Sequence, residues 1–106
     1  MTFVPLSITR TSDEGTELLE LEGEIDLATS HLLVDAIDAA ISAGIGTVVL
    51  DFGAVTFVNS TGLGAMVAAT KRLRLDGGDL VLRRFRGIPA SALATTGLDR
   101  FFTIES

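Results

Sequence analysis

The chain has 106 residues and a mass of 11.1 kDa, enough for one domain over residues 1–106 with a single core. Its formal charge is −6 and its mean hydropathy +0.49, yet no apolar run approaches the roughly 20 residues that cross a bilayer. Ten of the fourteen acids lie in residues 1–51, with Arg10 as the one base there, which disfavours simple nucleic-acid binding; the lack of cysteine excludes a disulfide frame, a thiolate metal site and a thiol nucleophile.

The first residues, Met1-Thr2-Phe3-Val4-Pro5-Leu6, carry neither a basic segment before an apolar core nor a small-residue cleavage pattern, so a cytoplasmic location is expected. Residues 3–10 alternate loosely and lead into Thr11-Ser12-Asp13-Glu14-Gly15, a polar group read as a hairpin turn. In the next strand Leu19, Leu21, Gly23 and Ile25 share one face and Glu20, Glu22 and Glu24 the other, the period-2 pattern of a sheet with one wet side. The acidic stripe is read as solvated surface, not as a metal site.

From Ala28 to Ala43 the period becomes helical, with Leu33, Ala36, Ile37, Ala40 and Ile41 on one face, Thr29 or Ser30 as the cap and Gly44 at the end. Val48-Val49-Leu50 reads as a central strand, covered on both faces and parallel to a neighbour. A second helix is expected from about Thr61 to Leu75, with Leu63, Met66, Val67, Thr70 and Leu73 inward, cations near its C-terminus and Gly77-Gly78 as its stop. Asp79 to Arg84 forms another strand, and Ile88 to Thr96 a short helix opened by Pro89 and closed by Gly97. The tail from Leu98 to Ile104 covers the core and has room for an edge strand. This order predicts a layered α/β domain, a mixed four- to five-stranded sheet shielded by helices.

Few residues offer chemistry. His31, the single histidine, sits in a first helical turn where imidazolium is disfavoured, and it is read as a surface residue. Ser60 lacks the Gly-x-Ser-x-Gly elbow of many hydrolases, and Gly62 and Gly64 complete neither a dinucleotide fingerprint, because position 67 is Val, nor a Walker A loop. No catalytic residue, cofactor or metal is expected. Arg83-Arg84-Phe85-Arg86 is read as a strand end and loop with solvated arginines.

The stretch from Val48 to Gly64 joins a buried strand, a loop and a hydroxyl pair at a helix start. A serine there can cap the helix, and its phosphoester would face free N–H groups and the positive end of the helix dipole. If both parallel crossovers leave the sheet on the same edge, the Asp26-Leu27-Ala28 loop and the Asn59-Ser60-Thr61 turn are neighbours. Asp26 then serves either as a turn or capping residue or as part of that surface.

Four blocks in order, Gly23-Glu24-Ile25-Asp26, Val49-Leu50-Asp51-Phe52 with Val55 and Phe57, Asn59-Ser60-Thr61-Gly62-Leu63-Gly64, and Thr96-Gly97-Leu98-Asp99-Arg100-Phe101-Phe102, resemble the STAS domain of bacterial anti-sigma factor antagonists over almost the whole chain. The resemblance implies that Ser60 is the phosphoacceptor, with Thr61 the fallback. It further implies that the free form binds an anti-sigma factor with serine kinase activity, releasing the sigma factor, that phosphorylation ends the contact, and that a serine phosphatase resets it. ATP belongs to the partner. A partner docked over Ser60 would meet Asp26, Leu27, Ala28, Asn59, Ser60, Thr61, Gly62 and Leu63, and the phosphate charge would act there with little refolding. The family commonly carries Asp where this chain has Asn59, which keeps size and capping ability but removes a charge. Two other readings are an unphosphorylated STAS subunit of a transport or lipid-trafficking assembly, tested by copurification with a membrane ATPase, and a nucleotide-binding sensor, tested by nucleotide binding.

Overall fold

A computed structural model describes residues 5–105. Strands β1 (Ser7–Asp13) and β2 (Thr16–Ile25) pair antiparallel around Glu14-Gly15, both with positive φ, the geometry of the two-residue turn whose twist suits a hairpin. β1 therefore runs to Asp13, further into the polar group than alternation alone suggested. Helix α1 (Ser30–Ser42), strand β3 (Thr47–Val58), helix α2 (Ser60–Leu75), strand β4 (Asp79–Arg83), helix α3 (Ile88–Thr96), a 3-10 turn over Leu98–Arg100 and edge strand β5 (Thr103–Ile104) follow.

The sheet order is β1-β2-β3-β4-β5, with every pair after the hairpin parallel. Each crossover from β2 to β5 steps to the adjacent strand in the same direction, and the right-handed preference of such connections puts α1, α2 and α3 on one face. Their residues Leu33, Ile37, Leu63, Met66 and Leu93 form one core with Leu19, Val48, Leu50, Leu80 and Leu82 of the sheet. Val49, which alternation turns to the other face, is buried outside that core. The expectation of a central, parallel strand covered on both faces holds for Val48, Val49 and Leu50, all buried between β2 and β4, although the helices lie over one face and leave the other open.

Helix ends follow their glycines. Gly44, at φ 82°, closes α1 with Gly44 N–H donating to Ile41 C=O and Ile45 N–H to Ala40 C=O; Gly77 and Gly78 close α2 in the same pattern onto Arg74 and Leu73. Leu63, Met66, Thr70 and Leu73 are buried in α2 as expected, whereas Val67 is half-buried and Ala69 takes a core place. β4 stops at Arg83 because Arg84 adopts φ 52°. Phe102 closes the core from the tail, as the sequence suggested, and β5 adds the edge strand. Among the described residues no helix is long and apolar enough to cross a membrane.

β3 carries two bulges. Glu20 pairs with Asp51 and Glu22 with Ala54, then Gly23 pairs with Val55 and Glu24 with Phe57, so β3 holds one extra residue at each step. The second bulge decides a side-chain direction. Strict alternation would set Phe57 beside Val55 on the core face; the extra residue at Thr56 instead buries Val58 and leaves Phe57 41% exposed.

Candidate functional site

The ends of β2 and β3 lie side by side: Ile25 pairs with Val58, and Asn59 N–H donates to Ile25 C=O at 3.0 Å. The loops that follow are therefore neighbours, the arrangement expected if both crossovers leave the sheet on the same edge. In the first, Asp26 Oδ1 accepts from Ala28 N–H (2.9 Å) and Thr29 N–H (3.1 Å), and Asp26 C=O accepts from Ser30 N–H. Thr29 Oγ accepts from Asp26 N–H and lies 2.8 Å from Glu24 C=O, to which it can donate. Neither Thr29 nor Ser30 caps α1 with its side chain, which corrects the sequence expectation. The Asp26 carboxylate does the local work instead, and the loop it tightens leaves Leu27 78% exposed.

In the second loop Asn59, not Ser60, is the N-cap of α2. Asn59 Oδ1 accepts from Gly62 N–H at 3.0 Å, and Asn59 C=O from Leu63 N–H. Ser60 thereby becomes the first helical residue, exposed together with Thr61. As in any first helical turn, the Ser60 and Thr61 N–H groups have no carbonyl one turn back, so positive partial charge collects around the Ser60 hydroxyl. Asparagine caps as well as aspartate, so the cap survives without the negative charge.

Gly62 and Leu63 are buried and present no side chain to a partner. Gly62 has a packing reason: a Cβ there would lie 2.6 Å from Ile25 Cγ2, so only glycine lets α2 start this close to the sheet. Gly64 meets nothing within 4 Å of such a Cβ, so close packing explains only one of the two glycines. Leu27, Ala28, Ser60 and Thr61 are exposed, and Asp26 and Asn59 half-buried. Two further residues stand at this end, Phe57 and Leu32, the latter 39% exposed in the first turn of α1. Phe57 was hidden by the bulge, and Leu32 lies outside the apolar stripe that marked the helix.

His31 is exposed in that same turn, and among the described residues no three His, Cys, Asp or Glu side chains group as metal ligands. On the open sheet face a polar cleft of about 170 Å³ is lined by Ser7, Thr9, Glu20, Glu22, Asp51 and Arg84, well back from Ser60 along the strands. Glu20 and Glu22 are exposed there, as the acidic stripe predicted. The arginine run divides: Arg84 grips Asp51, Arg83 pairs with Glu105 at the surface, and Arg86 is exposed. The reading of a strand end and loop with solvated arginines holds, since Arg84 is itself exposed; what it lacked is the contact with Asp51.

The STAS domain family model matches residues 7–106. The anti-sigma-F factor antagonist RsfB of Mycobacterium tuberculosis is 31% identical over 68 residues, which make up 64% of this chain and only 56% of that protein. An anti-sigma factor antagonist from Mycobacterium paratuberculosis has a crystal structure that superposes with a TM-score of 0.83 at 26% identity, over 93% of this chain and 84% of that one. The Bacillus cell fate determinant SpoIIAA, in its phosphorylated form, shares the fold with a TM-score of 0.74 at 20% identity, over 94% of this chain and 92% of that one.

Proposed function

We propose that this chain, which belongs to the STAS domain family, acts as an anti-sigma factor antagonist switched by phosphorylation at Ser60. The observation that carries this reading is the placement of Ser60: exposed, first in α2, beside a neighbouring loop that projects Leu27, with Phe57 exposed at the same strand end. Leucine and phenylalanine in such exposure are anchors for a protein partner, and the hydroxyl lies among them where a modification can veto docking.

The free form binds an anti-sigma factor with serine kinase activity, which releases the sigma factor. The kinase transfers the γ-phosphoryl of its own ATP to Ser60 Oγ, and a serine phosphatase later removes it. The antagonist contributes no catalytic group and binds no nucleotide. Phosphorylation adds about −1.5 to −2 charge and three acceptor oxygens. The first-turn N–H groups accommodate that charge, so the fold persists and the change is felt by the partner. Asp26 adds its own negative charge close by, and Asn59 leaves the acceptor turn without a fixed one. Likeness to the mycobacterial antagonists supports this reading, as does a shared fold with SpoIIAA, whose structure is described in a phosphorylated form.

Incubation of the purified protein with anti-sigma serine kinases of its host and ATP, followed by mass spectrometry, tests the assignment. Phosphate is expected at Ser60 and none in Ser60→Ala. Phosphate on Thr61 alone would move the acceptor by one residue. No phosphate with any of the kinases would favour an unphosphorylated STAS subunit of a larger assembly.

A further inference from the structure

We propose that Asp51 and Arg84 are a positioning pair for the Ser60 end of the molecule: their contact fixes the bulge from which the distal half of β3 extends, and so the aim of Phe57 and Ser60. The functional part rests on the proposed role of Ser60.

A carboxylate in the middle of a central strand is expensive unless it is fully partnered. Asp51 is 6% exposed, and its partners account for it. Arg84 Nε donates to Oδ1 and Arg84 Nη2 to Oδ2, both at 2.8 Å, the two-pronged geometry that only arginine supplies. Gly53 N–H donates to Oδ1 at 2.9 Å. Arg84 holds the Asp51 carboxyl below the ordinary carboxylate range, against the desolvation that raises it and with help from Gly53 N–H.

The place of this contact gives it a second role. β4 supports β3 only from Thr47 to Asp51; from Phe52 to Val58 the ladder runs on the β2 side alone. The first bulge falls at this boundary, where Phe52 and Gly53 follow the last doubly supported residue. Asp51 ties down the Gly53 N–H within the bulge. Arg84 then ties Asp51 to the turn after β4, from a left-handed backbone conformation that residues other than glycine rarely adopt. Its guanidinium lies against Gly53, where a Cβ would come within 2.6 Å of Cζ. The next residue, Phe85, meets Phe52 edge-on with ring centroids 4.8 Å apart. Arg84 on the open face and Phe85 on the helical face thus clasp β3 at the point where its distal half begins, and that half ends at Phe57 and Val58, directly before the Asn59 cap and Ser60 of α2.

Residue-resolved amide hydrogen exchange on the full chain tests this with two variants. Arg84→Lys keeps the charge and loses the fork; Gly53→Ala keeps both charges and fills the seat of the guanidinium. In each, exchange protection of Ala54, Val55, Phe57 and Val58 is expected to fall about tenfold relative to that of Val48 and Leu50. An equal change in both halves of β3, or none, would overturn the proposal. In the kinase reaction both variants are expected to raise KM for transfer to Ser60 more than they lower kcat; unchanged kinetics would likewise overturn it. If the wild-type chain takes no phosphate at Ser60, the proposed function fails by itself, and the exchange pattern alone decides whether Asp51 and Arg84 hold distal β3.

Discussion

Where the parallel strands begin, the chain turns on Glu14-Gly15, Gly44 and Gly77-Gly78; where they finish, it exposes Leu27, Phe57, Ser60 and Thr61. The turns at the first end are stitched to one another. Gly46 N–H and Thr47 N–H donate to Gly15 C=O, Asp79 N–H donates to Gly46 C=O, and a Cβ on Gly78 would fall 1.9 Å from that Gly46 oxygen. Even the charge there is turned inward, since Glu17 is 2% exposed and its Oε1 accepts from Arg10 Nε and Nη2 and from Ser12 Oγ. These polar groups close a turn or satisfy a neighbour, with one exception: Glu17 Oε2 is buried without a hydrogen-bond partner. At the other end the backbone is bonded by Asp26 and Asn59, but Leu27, Phe57, Ser60 and Thr61 keep exposed side chains. A domain of this size exposes single apolar residues routinely, as Leu75 is 85% exposed where α2 closes at the first end; it is the grouping of exposed Leu27 and Phe57 at the ends of two adjacent strands, next to an exposed serine, that sets the other end apart.

Substitutions at the two ends should therefore separate affinity from stability. The largest effect is expected from Leu27→Asp, which places a charge at the most exposed apolar residue of this end: affinity for the anti-sigma factor, measured by titration calorimetry, should fall about 100-fold, as for an interface anchor, with the thermal midpoint unchanged. Unchanged affinity would move the docking surface elsewhere. At the opposite end Arg10→Ala removes two of the three hydrogen bonds to a buried carboxylate and should cost about 2 kcal/mol in urea unfolding, with affinity unaltered. A loss of binding there without a loss of stability would break the contrast.

Much of this arrangement was legible in the residues. The hairpin, three helices, the parallel central strand and the adjacency of the two loops follow from periodicity, from glycines at element ends and from crossover geometry. Other features escaped for definite reasons. Phe57 reads as a core residue until the extra residue at Thr56 is known, because one inserted position reverses every later side chain. Glu17 has the parity of Leu19 and Leu21, but its charge argues for the wet face, and only its pairing with Arg10 across the hairpin shows why it is inside. Caps were expected by residue type from Thr29 or Ser30 and from Ser60; instead α1 has no side-chain cap, Asp26 Oδ1 bonding the Ala28 and Thr29 N–H groups ahead of it, and Asn59 caps α2. Asp51 and Arg84 stand 33 residues apart on different strands, beyond any spacing rule.

The central claim is that Ser60 is a switch read by another protein and not a structural hydroxyl. Calorimetric titration of the anti-sigma factor with free and with Ser60-phosphorylated protein tests it most directly, with amide exchange recorded on both forms. Phosphorylation is expected to weaken binding by at least about tenfold while α2 keeps its protection, since the helix start accommodates the added charge and the partner does not. Equal affinity of the two forms, or a melted α2 in the phosphorylated one, would contradict the account.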